Sequence, residues 1–457
     1  MKTLISSLFT LLFCLPLFAQ DFAGDWEGEL KVMGQSLPMI LHITEVDDNY
    51  KVTMDSPKQG AKDIPVEAEL QSEQELKITS SAMQMEIPLT SVHKDTLEGT
   101  FSQRGLNIPM VFTRISDKTE TKEVKTTFRA VPFKVDLKTH VLAGEIDTPK
   151  EGSNFPVALL ISGTGAQDRN STVYGHDLFV EMAEFLTKNG WAVVRYDERS
   201  TGESTGDISK CTTTDLAADV NALVDYIANS PLIDKKNIVL IGHSEGGIIA
   251  PMIATKNQHV KSFVSLAGPT VKGLELMKAQ AHLVAESSGT TGQDLKEYDE
   301  YYSNQVNLVY NRNEENKDST NRVLKSLLED QLGLVSLPEN EKQQVLNTMM
   351  EQLNSPAFYA LLHLDGEKVT QNVNKPALYL FAEKDIQVPA EMNTTSLEQH
   401  LSEKQKHQTE IKTLPQHNHL FQRCNSCTLM EYETIEGGYS KESLAIILTW
   451  LTQIQSM

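Results

Sequence analysis

The sequence predicts an α/β protein: a mostly parallel sheet with helices on both faces and a helical cap insertion, preceded by a small all-β, barrel-like domain. Three observations predict it. Residues 21–115 hold short, partly alternating apolar runs with polar turns at roughly ten-residue spacing, the pattern of a barrel or sandwich. From residue 127 onward, strand-like runs alternate with amphipathic helical stretches, the rhythm of a parallel sheet. Between about 269 and 373 that rhythm breaks into helix-like, highly charged sequence, which reads as an insertion over the strand ends, where open α/β sheets bind ligands.

The elements follow in order. Residues 1–20, "MKTLISSLFTLLFCLPLFAQ", carry one Lys, an apolar run from Leu4 to Phe18 and a small or polar end. The run is short for a membrane span and reads as a secretory signal peptide cleaved near Ala19 or Gln20. The expectation is an exported protein, periplasmic or secreted, with no membrane association after cleavage. "GDWEGEL" (24–30) resembles the G-x-W opening strand of lipocalin-like barrels, in which the Trp plugs one end. Residues 21–115 hold no cluster of His, Cys and Ser, so no chemistry is assigned there. "SDKTETKEVKT" (116–126) is a polar linker.

The second domain, 127–457, opens with an antiparallel hairpin in "FRAVPFKVDLKTHVLAGEIDTP". "FPVALLISGTG" is a buried strand running into glycines, "DLFVEMAEFLTKNG" an amphipathic helix ended by Gly190, and "WAVVRYDER" a strand. "TTDLAADVNALVDYIANSP", "NIVLIGHS" and "VKSFVSLAG" continue the alternation to Gly268. It resumes beyond the insertion with "PALYLFAEKD", a helix near 396–406, "TEIKTLPQHNH" and a last helix from Lys441 to Gln455.

Composition bounds the partners. The chain has 457 residues and a formal net charge of -21, a surface that repels phosphate and so excludes nucleic acid and anionic membranes as partners. Beyond the leader three cysteines remain, Cys211, Cys424 and Cys427. Cys424 and Cys427 form a C-x-x-C in a polar loop, read as a structural or incidental pair, with a disulfide left open. No second C-x-x-C and no H-x-x-x-H supplies further zinc ligands, so no metal site is expected. A homo-oligomer is left open as well.

Gly242-His-Ser-Glu-Gly246 matches G-x-S-x-G, a turn in which a strand reverses into a helix and holds its serine in strained backbone. "NIVLI" precedes it and "GIIAPMIA" follows, so strand and helix both abut it. A second match, Gly202-Glu-Ser-Thr-Gly206, lacks both neighbours, and Ser204 reads as an ordinary loop residue. Ser244 is therefore the candidate nucleophile. A serine hydroxyl needs a base, and the base needs an orienting carboxylate. Asp385 follows the late strand "ALYLFA" and is the candidate acid, with Glu383 its nearest rival and a turn or N-cap role its bland alternative. His417 and His419 share the loop "LPQHNHLFQ", and from either position a histidine could serve as the base. A tetrahedral oxyanion needs two backbone donors, assigned to Glu245 after the nucleophile and Thr164 in "ISGTGAQDRN". Gly163, Gly165 and Gln167 of that loop are the candidate substrate contacts. Asp168 and Arg169 either shape the pocket or pair with each other or with Asp197 and Arg199.

Together "ISGTGAQDR", "VVRYDERSTGEST", "IGHSEGG", "FAEKDIQVP" and "NHLFQ", in this order over residues 128–455, resemble bacterial secreted α/β-hydrolase-fold esterases close to the serine-aminopeptidase-like group, some of which carry a β-rich N-terminal domain. "NHLF" is similar to the N-H-x-F ending of related hydrolases, which implies His419 as the base with His417 the alternative, while Ser162 stands where many relatives have His. The resemblance implies a serine carboxylesterase for short-chain acyl esters of small molecules, needing no cofactor. A peptidase of the same fold, cleaving near an N-terminus, would require a carboxylate in the cap to hold the substrate amine. A catalytically dead binding protein is the third reading, and the complete Ser–Asp–His order argues against it.

Overall fold

A computed structural model describes residues 22–115, 127–333 and 339–457, apart from a few positions in the first of these segments. The expected leader (1–20) and linker (116–126) lie outside the described residues. The chain divides into two compact units on either side of the Lys125–Thr126 bond.

The first unit is a closed antiparallel barrel of β1 (Gly24–Val32), β2 (Gln35–Val46), β3 (Asn49–Ser56), β4 (Ala61–Ser72), β5 (Glu75–Ser80), β6 (Met85–His93), β7 (Thr96–Gln103) and β8 (Leu106–Ile115). Each strand pairs with its sequence neighbour, and β1 closes the ring on β8. The period-two alternation read from the sequence is the reason. In β6 Met85, Ile87, Leu89 and Ser91 point inward while Glu86, Pro88 and Thr90 face solvent. Trp26 is buried, donates its indole N–H to the Phe22 carbonyl at 2.8 Å, and carries the Arg114 guanidinium 4.1 Å over its ring.

The second unit is built on an eight-stranded sheet of order β18-β17-β16-β15-β11-β14-β10-β9. β9 (Arg129–Asp136) and β10 (Val141–Thr148) are the antiparallel hairpin, and the other pairings from β14 to β18 are parallel. The central elements are β11 (Phe155–Ile161), the short hairpin β12 (Thr172–Val173) and β13 (His176–Asp177), α1 (Leu178–Lys188), β14 (Ala192–Tyr196), α2 (Thr213–Ile227), β15 (Ile233–His243), α3 (Glu245–Ala254) and β16 (Val260–Leu266). Central strands read as unbroken apolar runs because both faces are covered. Leu159, Ile161 and Leu240 pack with α2 and α3 on one face; Ala158, Leu160, Val239 and Ile241 pack with α1 on the other. A capping box between Thr212 and Asp215 starts α2.

Between β16 and the next strand, six helices replace the expected helical sequence: α4 (Gly273–Ser287), α5 (Gly292–Tyr310), α6 (Lys317–Gly333), α7 (Glu339–Asn354), α8 (Pro356–Leu362) and α9 (Gly366–Gln371). They have small cores of their own, one around Val306, Val309, Leu324 and Leu362. The two ends of this cap meet. Gly273 N–H donates to the Leu364 carbonyl at 2.8 Å, Gly366 N–H to Val271 at 3.2 Å, and Lys272 pairs with Asp365 as an antiparallel bridge. The sheet then resumes with β17 (Ala377–Ala382), α10 (Ala390–His400), α11 (Glu403–Lys406) and β18 (Thr409–Leu414), and ends in α12 (Lys441–Ser456), which joins α1 on its face. The single helix expected near 396–406 is two, because Leu401 leaves the helical region at the end of α10 and Ser402 caps a new start.

Candidate active site

The strand-to-helix turn at the end of β15 is as tight as its sequence requires. Ser244 sits at φ 55°, ψ -118°, between the last residue of β15 and the first of α3. A non-glycine residue there is strained and persists because its surroundings hold it. Ser244 N–H donates to the Leu266 carbonyl at 2.9 Å, and its own carbonyl accepts from Gly247 N–H at 2.8 Å. The flanking glycines are steric necessities: a Cβ on Gly242 would strike the Gly246 carbonyl, and one on Gly246 the Ile161 carbonyl. Glu245 opens α3, so its N–H has no intrahelical acceptor.

Asp385 follows β17 and is buried. Its Oδ2 accepts from His419 Nδ1 at 2.7 Å, and its Oδ1 accepts from the N–H groups of Gln387 and Val388 at 2.8 and 2.9 Å. The turn that binds Oδ1 leaves Oδ2 for the imidazole. Since a carboxylate accepts there, Nδ1 carries the proton and Nε2 is left with its lone pair. The His419 backbone is fixed on both sides: its carbonyl accepts from His243 Nε2 at 2.9 Å, and its N–H donates to the Tyr432 hydroxyl at 3.3 Å. The His243 and His419 rings lie 4.8 Å apart. Burial, and then the neighbouring His419, push His243 down to about 3. It is a neutral donor and does not compete with His419 for a proton.

Ser244 and His419 line one cavity of about 520 Å³. Gly163, Thr164 and Gln167 of the loop expected to supply an oxyanion donor line it too, with Glu245. Gly163 lies so close that a Cβ there would come within 3.0 Å of the Ser244 Cβ. Gly165 is the exception among the expected contacts. It stands outside this lining, exposed, at φ 105°, and its role is to turn the loop. The cap supplies the opposite wall through Leu276, Met277, Phe358 and Leu361. Sequence reasoning had no means of finding these, nor Tyr174 and Gln387, which also line it: each is one apolar or amide residue among many at helical or loop spacing.

The alternatives are placed elsewhere. His417 is fully buried, with Nδ1 against the Pro415 carbonyl and Nε2 against the Ser440 hydroxyl, both at 2.8 Å. Glu383 is held below the usual carboxylate range by the Gln416 N–H it accepts, 2.9 Å away. Ser204 is a buried structural hydroxyl, accepting from Ala143 N–H and donating to the Asp197 carbonyl at 2.8 and 2.7 Å. Arg169 turns from the cavity and forks onto Asp197, with Glu145 and Glu203 beside it. Arg199 pairs with Asp219 rather than with the loop. Cys424 and Cys427 are joined in a disulfide and buried, although their loop reads as polar. Among the described residues, no group of three or more His, Cys, Asp or Glu side chains could hold a metal ion, and no helix is long and apolar enough to cross a membrane.

Comparison with known protein families agrees with the architecture of the second unit. Residues 156–410 match the family described as alpha/beta hydrolase fold. Esterase EstD of Thermotoga maritima is 26% identical over 149 residues, 32% of this chain and 34% of that protein. An uncharacterized protein of Pseudomonas aeruginosa is 26% identical over 165 residues, 35% of this chain and 42% of its own. The matched region therefore spans well under half the length of these curated relatives. Among solved structures, a Pyrococcus furiosus esterase has a TM-score of 0.46 at 16% identity, covering 72% of this chain and 92% of that one. The alpha/beta hydrolase GrgF of a Penicillium species has a TM-score of 0.44 at 16% identity, covering 72% and 100%.

Proposed function

Because the chain belongs to the alpha/beta hydrolase fold family, we propose that it is a serine carboxylesterase acting on short-chain acyl esters of small molecules. The observation that carries this reading is the 2.7 Å bond from Asp385 to His419 Nδ1, with His419 and the strained Ser244 on one cavity wall. Ser244 Oγ attacks the ester carbonyl while His419 Nε2 takes its proton. Asp385 holds the imidazole in the tautomer that leaves Nε2 free and stabilises the charged ring. The N–H groups of Glu245 and Thr164 receive the negative oxygen. His419 then protonates the leaving alcohol, and water hydrolyses the acyl-enzyme by the same proton route in reverse.

The cavity wall supports an ester over an amino-terminal peptide. Apart from His243 and His419, its described lining is apolar, hydroxyl and neutral amide side chains with one acid, Glu245, which already accepts from the Thr213 hydroxyl at 2.6 Å. A free substrate ammonium finds no unengaged carboxylate partner in that lining. Export remains part of the proposal: it rests on the leader sequence, and the Cys424–Cys427 disulfide suits an oxidising compartment. The test is a series of p-nitrophenyl acyl esters of increasing chain length, run beside amino-acyl arylamides, with labelling of Ser244 by a fluorophosphonate. Preference for arylamides, or labelling that survives Ser244→Ala, would overturn the reading.

A further inference from the structure

Glu198 has no part in the mechanism above, yet its side chain is buried directly behind the loop that supplies Thr164. It follows β14, and its Oε2 accepts from Gln167 N–H at 3.0 Å. Its backbone N–H donates to the Gln167 carbonyl, also at 3.0 Å. The Ser162 hydroxyl neighbours the same carboxyl and favours its charged form. Ser162 and Gln167 bracket the turn Gly163–Ala166, so the carboxyl binds one foot of that turn and stands beside the other. Thr201 fastens it further, its hydroxyl donating to the carbonyls of Gln167 and Glu198 at 2.9 and 2.7 Å. We propose that Glu198 is a positioning residue for the oxyanion hole, a buried carboxyl that fixes the Thr164 turn by binding Gln167 at its foot, beside Ser162. This rests on the serine-hydrolase reading above.

The surroundings of Glu198 decide its charge. Glu245 at the start of α3 and Asp219 on α2 are its acidic neighbours, and the buried Tyr196 on β14 precedes it. The nearby cations are committed elsewhere, Arg169 to Asp197 and Arg199 to Asp219, and no ion pair reaches Glu198 among the described residues. Burial pushes the carboxyl up to about 8, against the pull of Gln167 N–H and Ser162 and with the help of Glu245 and Asp219. At neutral pH it is therefore a neutral group that can bind Gln167 without opposing charge at the hole. When it ionises, an anion stands behind the loop and beside Glu245, where it opposes the negative charge developing on the substrate oxygen.

The experiment measures kcat and KM for p-nitrophenyl butyrate from pH 6 to 10, with spontaneous hydrolysis subtracted, for the full chain and its Glu198→Gln, Glu198→Ala and Ser244→Ala variants. Loosening a donor loop costs less than deleting a donor, so Glu198→Ala should lose roughly 10- to 100-fold in kcat with KM changed less than about 3-fold. Glu198→Gln, which keeps a neutral acceptor and donor, should recover most of that loss. It should also hold its kcat above pH 8, where the wild type declines. Superimposable pH profiles for wild type and Glu198→Gln would overturn the proposal, as would wild-type kcat in a folded Glu198→Ala protein. If the Ala variant fails to fold, the Gln profile decides alone. A failure of the underlying reading looks different: Ser244→Ala would then turn over ester as fast as the wild type.

Discussion

Ser244 and Ser204 share the same five-residue motif, and the hydrogen bonds around each predict opposite outcomes. Ser244→Ala should cost on the order of 10⁴-fold in kcat while the protein stays folded. Ser204→Ala removes an acceptor from Ala143 N–H and a donor to Asp197, so it should lose stability, about 1–2 kcal/mol, and keep its activity per folded molecule. Urea unfolding beside steady-state assays separates the two. His417 and His419 divide in the same way, since the His417 ring is spent on Pro415 and Ser440. Two residues apart in one loop, they are indistinguishable by local sequence; what separates them is which ring meets Asp385, a contact made across 34 positions of chain. Glu198 was illegible for a related reason: it is one of several charges in "RYDERSTG", and nothing local says its carboxyl is buried. Its folded-state value of about 8 lies above the 4.5 of a free Glu. The folded protein thus holds a proton that the unfolded chain releases, and stability is lost as pH rises from about 4.5 through about 8. Thermal melts should show the Tm of Glu198→Gln gaining on the wild type between pH 5.5 and 8.5; a constant difference would count against a buried, neutral carboxyl.

At the scale of elements, sequence was most informative where periodicity and turn chemistry agree. β15, the elbow and α3 are legible together, since unbroken apolar residues, two required glycines and a helix leave one local solution. The cap was legible as helices and illegible as a wall: which residues of α4 and α8 face the cavity depends on how these helices pack, which their own sequence does not state. Phe358 on α8 is one such residue. Phe358→Ala should enlarge the cavity and shift the ratio of kcat/KM for octanoyl over butanoyl ester upward, by about 15- to 60-fold if the freed space is filled by two to three methylenes. An unchanged ratio would place the acyl chain elsewhere. The hairpin β12–β13, with Val173 and Tyr174 on the cavity, is too short to announce itself in sequence at all.

For the whole molecule, the two units have separate interiors. The barrel core is drawn from Phe22 to Phe112, while both faces of the sheet are covered by residues from Phe128 onward. Every proposed catalytic group lies between Thr164 and His419. A chain beginning near Thr126 should therefore fold, judged by circular dichroism, and label at Ser244 with a fluorophosphonate; a folded but unreactive fragment would assign the barrel a part in the site. The cap has a different relation to the sheet. Because Gly273 binds Leu364 and Gly366 binds Val271, nearly a hundred residues leave the chain and return to it through one backbone ladder. The insertion is thus a cassette with its own closed seam. A lineage, or an engineer, can exchange its contents at that seam and alter what is admitted, while β16, β17 and the acid that follows them continue undisturbed beneath.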